Sequence, residues 1–143
     1  MTYTIAHAAN PGEAYSAIWA PLLAFNQTVA SGAEGTPFAL TLRNESDTEV
    51  AGGLWGLTLW GSFYIGLVIV PEEARGQGLG RELMRQAEIE ALKQNCRHLW
   101  LDTYAFQARG FYERLGFEVF GELDGPADRK STRLNSSHVR ISY

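Results

Sequence analysis

The residues best suited to chemistry lie in a glycine-rich turn from Arg75 to Gly80, between an apolar run that ends at Val70 and an amphipathic segment. Its three glycines permit left-handed backbone and leave no Cβ between the main chain and a ligand. A helix that begins at such a turn presents unpaired backbone N–H groups and a partial positive charge. With the cation of Arg75 added, the pattern predicts a cradle for phosphate or pyrophosphate oxygens.

Two common phosphate-binding motifs do not fit this turn. A P-loop needs Lys followed by Ser or Thr after its last glycine, and a dinucleotide fingerprint needs a third glycine where Arg81 stands. The remaining pattern is R-x-x-G-x-G, formed by Arg75, Gly78 and Gly80. The alternative interpretation, a strand–turn–helix whose glycines only form the turn and bind no ligand, is still open at this point.

A second segment, residues 105–117, is typical of a short helix that ends at a Gly-Phe pair. Together the two segments resemble the signatures of the GNAT superfamily of N-acetyltransferases, namely its acyl-CoA pyrophosphate loop and its pattern A-x-x-F-Y-E-K/R-x-G-F. The resemblance extends from about Tyr3 to Leu123. The second pattern is matched by Ala108, Phe111, Tyr112, Glu113, Arg114, Gly116 and Phe117.

The resemblance implies an enzyme, an N-acetyltransferase that moves an acetyl group from acetyl-CoA directly to a primary amine of a small molecule or a peptide. It implies that the pyrophosphate binds amides of the turn and that the pantetheine arm lies along the strand before it. The cofactor-binding residues that it implies are Ile69, Val70, Arg75, Gly76, Gln77, Gly78, Leu79, Gly80 and Gln107.

Tyr112 occupies the position of the family's general acid, so the resemblance implies that it protonates the departing thiolate of CoA. A thiol has a reference pKa of about 8.5 and a tyrosine of about 10, so a phenol can donate to sulfur as charge develops there. The alternative is an aromatic side chain that packs beside Phe111.

The sequence departs from the family at two positions. Gly66 stands where a carboxylate that accepts the proton of the amine would be convenient, and Ala105 replaces an asparagine that often contacts pantetheine. The departures leave open a non-catalytic acyl-CoA-binding or regulatory module, or a truncated, inactive acetyltransferase. Other candidates for the base are Glu72, Asp102 and Glu113.

The element pattern predicts an α/β fold, and the resemblance makes it a three-layer α/β/α sandwich on a mixed, splayed β-sheet, as in the acyl-CoA N-acyltransferases. The predicted strands cover residues 3–8, 38–43, 49–60, 63–70, 98–103 and 117–123. The predicted helices run from residue 10 to about 19, over 22–30, from the glycine turn to about 93, and over 107–115.

Residues 1–127 are predicted to form the acetyltransferase domain. Residues 128–143 are polar and basic, without clear periodicity, and resemble translated sequencing-adaptor DNA. We expect them to be a non-native or disordered tail, and we expect the family's last strand, which pairs beside residues 117–123, to be missing. Stability and activity without that strand are left open.

Charge and composition exclude several classes of function. The net charge is −4, and the tail has four basic residues and one acidic residue, so residues 1–127 carry −7, which disfavours nucleic acid as a partner. A single cysteine and three scattered histidines predict no metal site. Neither a leader-like segment nor a long apolar run is present, which predicts a cytoplasmic protein without a membrane span. The resemblance also allows a homodimer.

Overall fold

A computed structural model describes residues 1–46, 49–104, 108–123 and 131–136. The chain divides into two compact units, residues 1–34 and residues 35–143. The second unit contains the β-sheet, the glycine turn and both signature segments. The candidate functional residues therefore all belong to the second unit.

The first unit contains one helix, α1 (Pro11–Val29). The side chain of Asn10 accepts hydrogen bonds from the N–H groups of Gly12 and Glu13, at 3.1 and 3.3 Å, which caps the helix start. The prediction of two helices was wrong, because α1 continues through Pro21. A proline removes one N–H donor, and here the helix extends for several residues on either side of it. The predicted strand over residues 3–8 was also wrong, since this stretch has no regular structure and no partner strand among the described residues.

The second unit is built on a six-stranded mixed sheet in the order β1-β2-β3-β4-β6-β5. β3 and β4 are parallel, and the other neighbouring strands are antiparallel. This confirms the mixed α/β class predicted from the sequence. The strands are β1 (Thr36–Arg43), β2 (Val50–Leu59), β3 (Ser62–Ile69), β4 (His98–Tyr104), β5 (Glu118–Leu123) and β6 (Ser131–Ser136), and the helices are α2 (Leu79–Lys93) and α3 (Arg109–Arg114).

β6 corrects the expectations for the tail. Residues 131–136 form a strand between β4 and β5 and pair antiparallel with both. The expectations of a missing last strand and of a disordered tail are therefore wrong for these six residues. The physical reason is that ladder hydrogen bonds use backbone groups, so a polar segment without strand periodicity can still fill a gap between two strand edges. The origin of the tail and the boundary at residue 127 stay predictions.

The core lies between α2 and one face of the sheet. Helix α2 contributes four buried side chains, Leu83, Met84, Ala87 and Ala91, which recur at helical spacing. The sheet contributes Leu54, Phe63, Ile65, Leu99 and Leu101 to the same cluster. Two small alanines on the helix let its backbone approach the sheet closely, which fixes the start of α2 relative to β3 and β4.

A bulge in β3 changes which side chains face this core. Trp55 of β2 pairs with Leu67 and the next residue of β2 pairs with Ile65, so Gly66 is left without a partner in β2. Ile65 before the bulge is buried in the core, and Val68 after it packs against the same core. The alternation of the strand therefore reverses at Gly66, and this happens where the sheet opens.

A glycine in β2 provides a test of this packing. A Cβ at Gly56 would overlap the ring of Phe63, which is fully buried, and would lie 2.7 Å from the carbonyl oxygen of Tyr64. We expect Gly56→Ala to lower the free energy of unfolding by about 2–3 kcal/mol, measured by urea denaturation. In the control Gly121→Ala the new Cβ meets nothing within 4 Å, so a change of less than about 0.5 kcal/mol is expected. Equal losses in the two variants would contradict the packing described.

Candidate active site

The candidate site is a groove where β3 and β4 separate. The two strands pair only from Ser62 with His98 to Ile65 with Leu101, although both continue further. A groove of about 950 Å³ opens beyond the last pair. It is lined by residues 65–70 of β3, by most of the turn over 74–81, by residues 101–103 of β4, and by Ala108, Phe111, Tyr112 and Arg114. Both sequence signatures therefore meet at one opening.

The glycine turn forms one end of the groove. Gly76 and Gly78 have φ values of 77° and 78°, the left-handed region that favours glycine, and a Cβ at either would meet nothing within 4 Å. Gly78 is the N-cap of α2 and offers no side-chain cap. At the helix start, the Glu82 N–H donates to the Gly78 carbonyl at 3.0 Å. The N–H groups of residues 79–81 therefore have no partner within the helix and are available to an anion.

Gly80 has a different role from the other two glycines. A Cβ at this position would lie 3.2 Å from Cζ of Phe111. A side chain here would press on the Phe111 ring of the second signature, which lies against the first turn of α2. The two signatures are thus linked by a direct contact, which sequence spacing did not reveal.

The charge of the groove is mainly positive among the described residues. Nε of Arg75 donates to the carbonyl of Val70 at 3.3 Å, which ties the guanidinium to the end of β3. Arg81 and Arg114 also line the groove, and Asp102 is the carboxylate among its described lining residues. Three guanidinium groups in a groove that also contains open helix-start amides fit a ligand that carries phosphates.

The open edge of β3 fits an extended polar ligand. Residues 67–69 pair with β2 on one side and, among the described residues, have no ladder partner in β4 on the other. Their backbone groups on that side can bind the amides of an extended chain, as an added strand would. A ligand with phosphates at one end and amides along its length, such as coenzyme A, fits this donor set.

Tyr112 of α3 is a buried side chain, with 7% of its surface exposed, and it lines the groove. Burial raises the pKa of its phenol. The rings of Phe111 and Phe117 pack edge-on against it, with centroids at 5.2 and 5.9 Å. Its hydroxyl has no hydrogen-bond partner in the part of the chain that the structure describes. A buried hydroxyl without a partner is costly, and a ligand in the groove would provide one.

The candidates for the base are separated by the structure. Asp102 lines the groove, whereas Glu72 and Glu113 are not among its described lining residues. At Gly66 a Cβ would lie 3.1 Å from the indole of Trp55, so a carboxylate side chain there would displace this ring. Among the described residues, no group of three or more metal-ligating side chains is present.

The predicted site residues fall into three groups. Those that line the groove are Ile69, Val70, Arg75, Gly76, Gly78, Leu79, Gly80 and Tyr112. Gln77 belongs to the turn but is not a lining residue, and Gln107, like Ala105, lies outside the described residues. Sequence reasoning did not predict Arg81 or Arg114 as ligand contacts: Arg81 follows the last glycine of the turn, and Arg114 was noted only as a match to the second signature. It also gave no role to Tyr64. The roles of these residues stay predictions.

Comparison with known proteins identifies the family. The sequence model described as "Acetyltransferase (GNAT) family" matches residues 3–117. The chain belongs to the GNAT acetyltransferase family. This confirms the predicted family and an enzyme that transfers acyl groups.

Relatives of this GNAT chain cover most of its length. An acetyltransferase of Agrobacterium fabrum (strain C58) is 39% identical over 126 residues, which are 88% of this chain and 90% of that protein. The blasticidin-S acetyltransferase of Streptomyces morookaense is 40% identical over 76 residues, 52% of this chain and 56% of that protein. A crystal structure from Agrobacterium tumefaciens matches with a TM-score of 0.79 and 36% identity, over 94% of this chain and 98% of that one.

The unpartnered hydroxyl of Tyr112 gives a stability prediction. Because removal of a buried polar group without a partner also removes its desolvation cost, we expect Tyr112→Phe to be neutral or to stabilise the protein by up to about 1 kcal/mol. Urea denaturation without ligand measures this. Tyr15→Phe, at an exposed position of α1, is the control and should change stability by less than about 0.5 kcal/mol. A loss of more than about 1 kcal/mol in Tyr112→Phe would mean that the hydroxyl has a partner in the free protein.

Proposed function

We propose that this GNAT chain is an N-acetyltransferase that moves an acetyl group from acetyl-CoA directly to a primary amine of a small molecule. The observation that carries the proposal is the groove itself, where open helix-start amides follow a left-handed glycine turn and three arginines are among the lining residues. The acceptor class is supported by the relative named for the acetylation of blasticidin-S.

A cytoplasmic location and a homodimer stay predictions from the sequence. Among the described residues, no helix combines the length and apolar character needed to span a membrane.

The proposed cofactor contacts follow the two ends of the groove. The amides of residues 76–80, with the side chain of Arg75, bind the diphosphate. The open backbone edge of Ile69 and Val70 binds the pantetheine amides. Gln107 is proposed as a further pantetheine contact on sequence grounds alone.

Tyr112 is proposed to act on the sulfur. When bound, acetyl-CoA supplies an acetyl group activated as a thioester. Burial raises the pKa of Tyr112, which keeps its phenol protonated at neutral pH. A phenolate is a stronger base than a thiolate by about 1.5 pKa units in reference compounds, so full transfer of the proton is uphill. Tyr112 therefore acts by donating a hydrogen bond to sulfur as negative charge develops there.

The proposal is tested by binding and turnover measured separately. Calorimetry measures whether CoA binds at the glycine turn. Mass spectrometry of a panel of primary amines incubated with acetyl-CoA and the protein measures whether the acetyl group is transferred. We expect CoA binding together with acetylation of at least one amine. A folded protein without CoA uptake would overturn the proposed cradle. CoA uptake with no amine acetylated would overturn the proposed acceptor class.

The left-handed glycine at the helix start gives a prediction for affinity. Alanine at φ of about 78° costs about 1 kcal/mol, so we expect Gly78→Ala to relax the turn and to raise the Kd for CoA at least tenfold, measured by calorimetry. Gly32→Ala is the matched control, because Gly32 has φ of 73° and equally open surroundings outside the groove. It should lose similar stability and keep the Kd within twofold. Equal effects on Kd in the two variants would show that the turn does not bind CoA.

The role of Tyr112 gives a prediction for the rate. We expect Tyr112→Phe to lower kcat by about 100-fold while the Kd for CoA changes less than twofold, because the hydroxyl acts in the transfer step. In the wild type the rate should fall above the pKa of this phenol, which burial raises, and the variant should lack that alkaline fall. Stopped-time assays from pH 6 to 11 with an amine from the panel measure both. An unchanged kcat would remove Tyr112 from the mechanism.

A further inference from the structure

The groove contains one described carboxylate, and its position is fixed by a neighbour. The hydroxyl of Tyr64, on β3, donates a hydrogen bond to Oδ1 of Asp102, on β4, at 2.7 Å. Tyr64 lies inside the paired part of β3, opposite Trp100, and Asp102 lies one residue beyond Leu101, the last paired residue of β4. The two side chains therefore bridge the strands at the end of backbone pairing. The bond lies at the surface, so it contributes little to folding, and its main effect is to orient the carboxylate.

The ring of Tyr64 is itself oriented by aromatic neighbours. It stacks on Trp100 with centroids 4.4 Å apart and planes at 36°, and Phe120 meets Trp100 edge-on at 6.3 Å. On the other side, the indole of Trp55 and the ring of Tyr64 lie 3.1 and 3.6 Å from the point where a Cβ of Gly66 would be. We call these four side chains, Trp55, Tyr64, Trp100 and Phe120, the aromatic row. Its members belong to β2, β3, β4 and β5, with β6 between the last two strands. They are not among the described lining residues of the groove, but Tyr64 contacts Asp102 and Trp55 lies against Gly66, which both line it.

The charges of the groove separate two kinds of ligand group. Arg75, Arg81 and Arg114 attract phosphates and repel ammonium groups, whereas Asp102 is the described lining residue of opposite sign. Aromatic faces add to the attraction of a cation through their quadrupole. Trp55 is 39% exposed, so part of its surface remains open to a ligand.

We propose that Asp102, positioned by Tyr64, binds the ammonium group of the acceptor, and that the aromatic row selects acceptors that carry a planar or apolar group next to the amine. This inference rests on the proposed function, since it assigns the acceptor side of the same groove. Asp102 is then the acceptor-binding residue, and Tyr64 is a positioning residue that acts through it.

The test uses three small probes with the full-length protein, titrated by NMR with and without saturating CoA. The probes are 2-phenylethylamine, its neutral counterpart 2-phenylethanol, and n-butylamine. We expect 2-phenylethylamine to bind at least fivefold more tightly than either of the others. Asp102→Asn should abolish the preference for the amine over the alcohol, and Tyr64→Phe should reduce it two- to threefold. Trp55→Leu should reduce the preference for 2-phenylethylamine over n-butylamine.

Glu45→Gln removes the same charge from the exposed turn between β1 and β2, away from the groove, and should change none of these ratios. The comparison of amine with alcohol in the wild type needs no variant, so it decides the proposal even if a variant fails to fold. Equal affinities for the two, or an unchanged preference in folded Asp102→Asn, would overturn it. If the protein does not bind CoA, the proposed function is overturned. The titration of the probes in the absence of CoA then still tests the role of Asp102.

Discussion

The structure depends on the place where β3 and β4 stop pairing. Parallel neighbours normally share a continuous ladder, and here it ends at Ile65 and Leu101, next to the bulge at Gly66. An unpaired strand edge is usually a liability, because its N–H and C=O groups template further pairing. In this fold the same open edge faces a groove, so an extended ligand can complete the sheet instead of another chain. The bulge at Gly66 lies next to the last pair of this ladder, where the open edge begins.

The groove is polarised along its length by elements of different kinds. At one end the charge comes from backbone amides of the first turn of α2 and from arginines on flexible side chains. At the other end a carboxylate is held by a tyrosine among stacked rings. Phosphate and ammonium groups would therefore be sorted to opposite ends by electrostatics alone. Tyr112 lines the same groove, and its side chain is otherwise buried.

The strand formed by residues 131–136 is held by backbone pairing on both sides, so its place in the sheet depends little on its own side chains. β4 and β5 do not pair with each other, and each pairs with β6. Whatever segment fills this position satisfies two ladders at once, which is a large number of hydrogen bonds for six residues. A sequence without alternation can occupy such a position because its neighbours, rather than its own pattern, define it.

The sequence by itself determined the family, the α/β class and the glycine turn. These are local features, since left-handed glycines, the apolar face of α2 and the two signatures are each written within about fifteen residues. It did not determine that α1 continues through Pro21. The cost of the one hydrogen bond lost at a proline is set against the stability of all the other turns of the helix, and the sequence near Pro21 does not show which is larger. Tertiary structure alone decided that Gly80 makes room for Phe111, that Trp55 covers Gly66, and that Tyr64 reaches Asp102. These contacts join residues about 10 to 40 positions apart, and no short-range pattern encodes a distance that only the folded sheet creates.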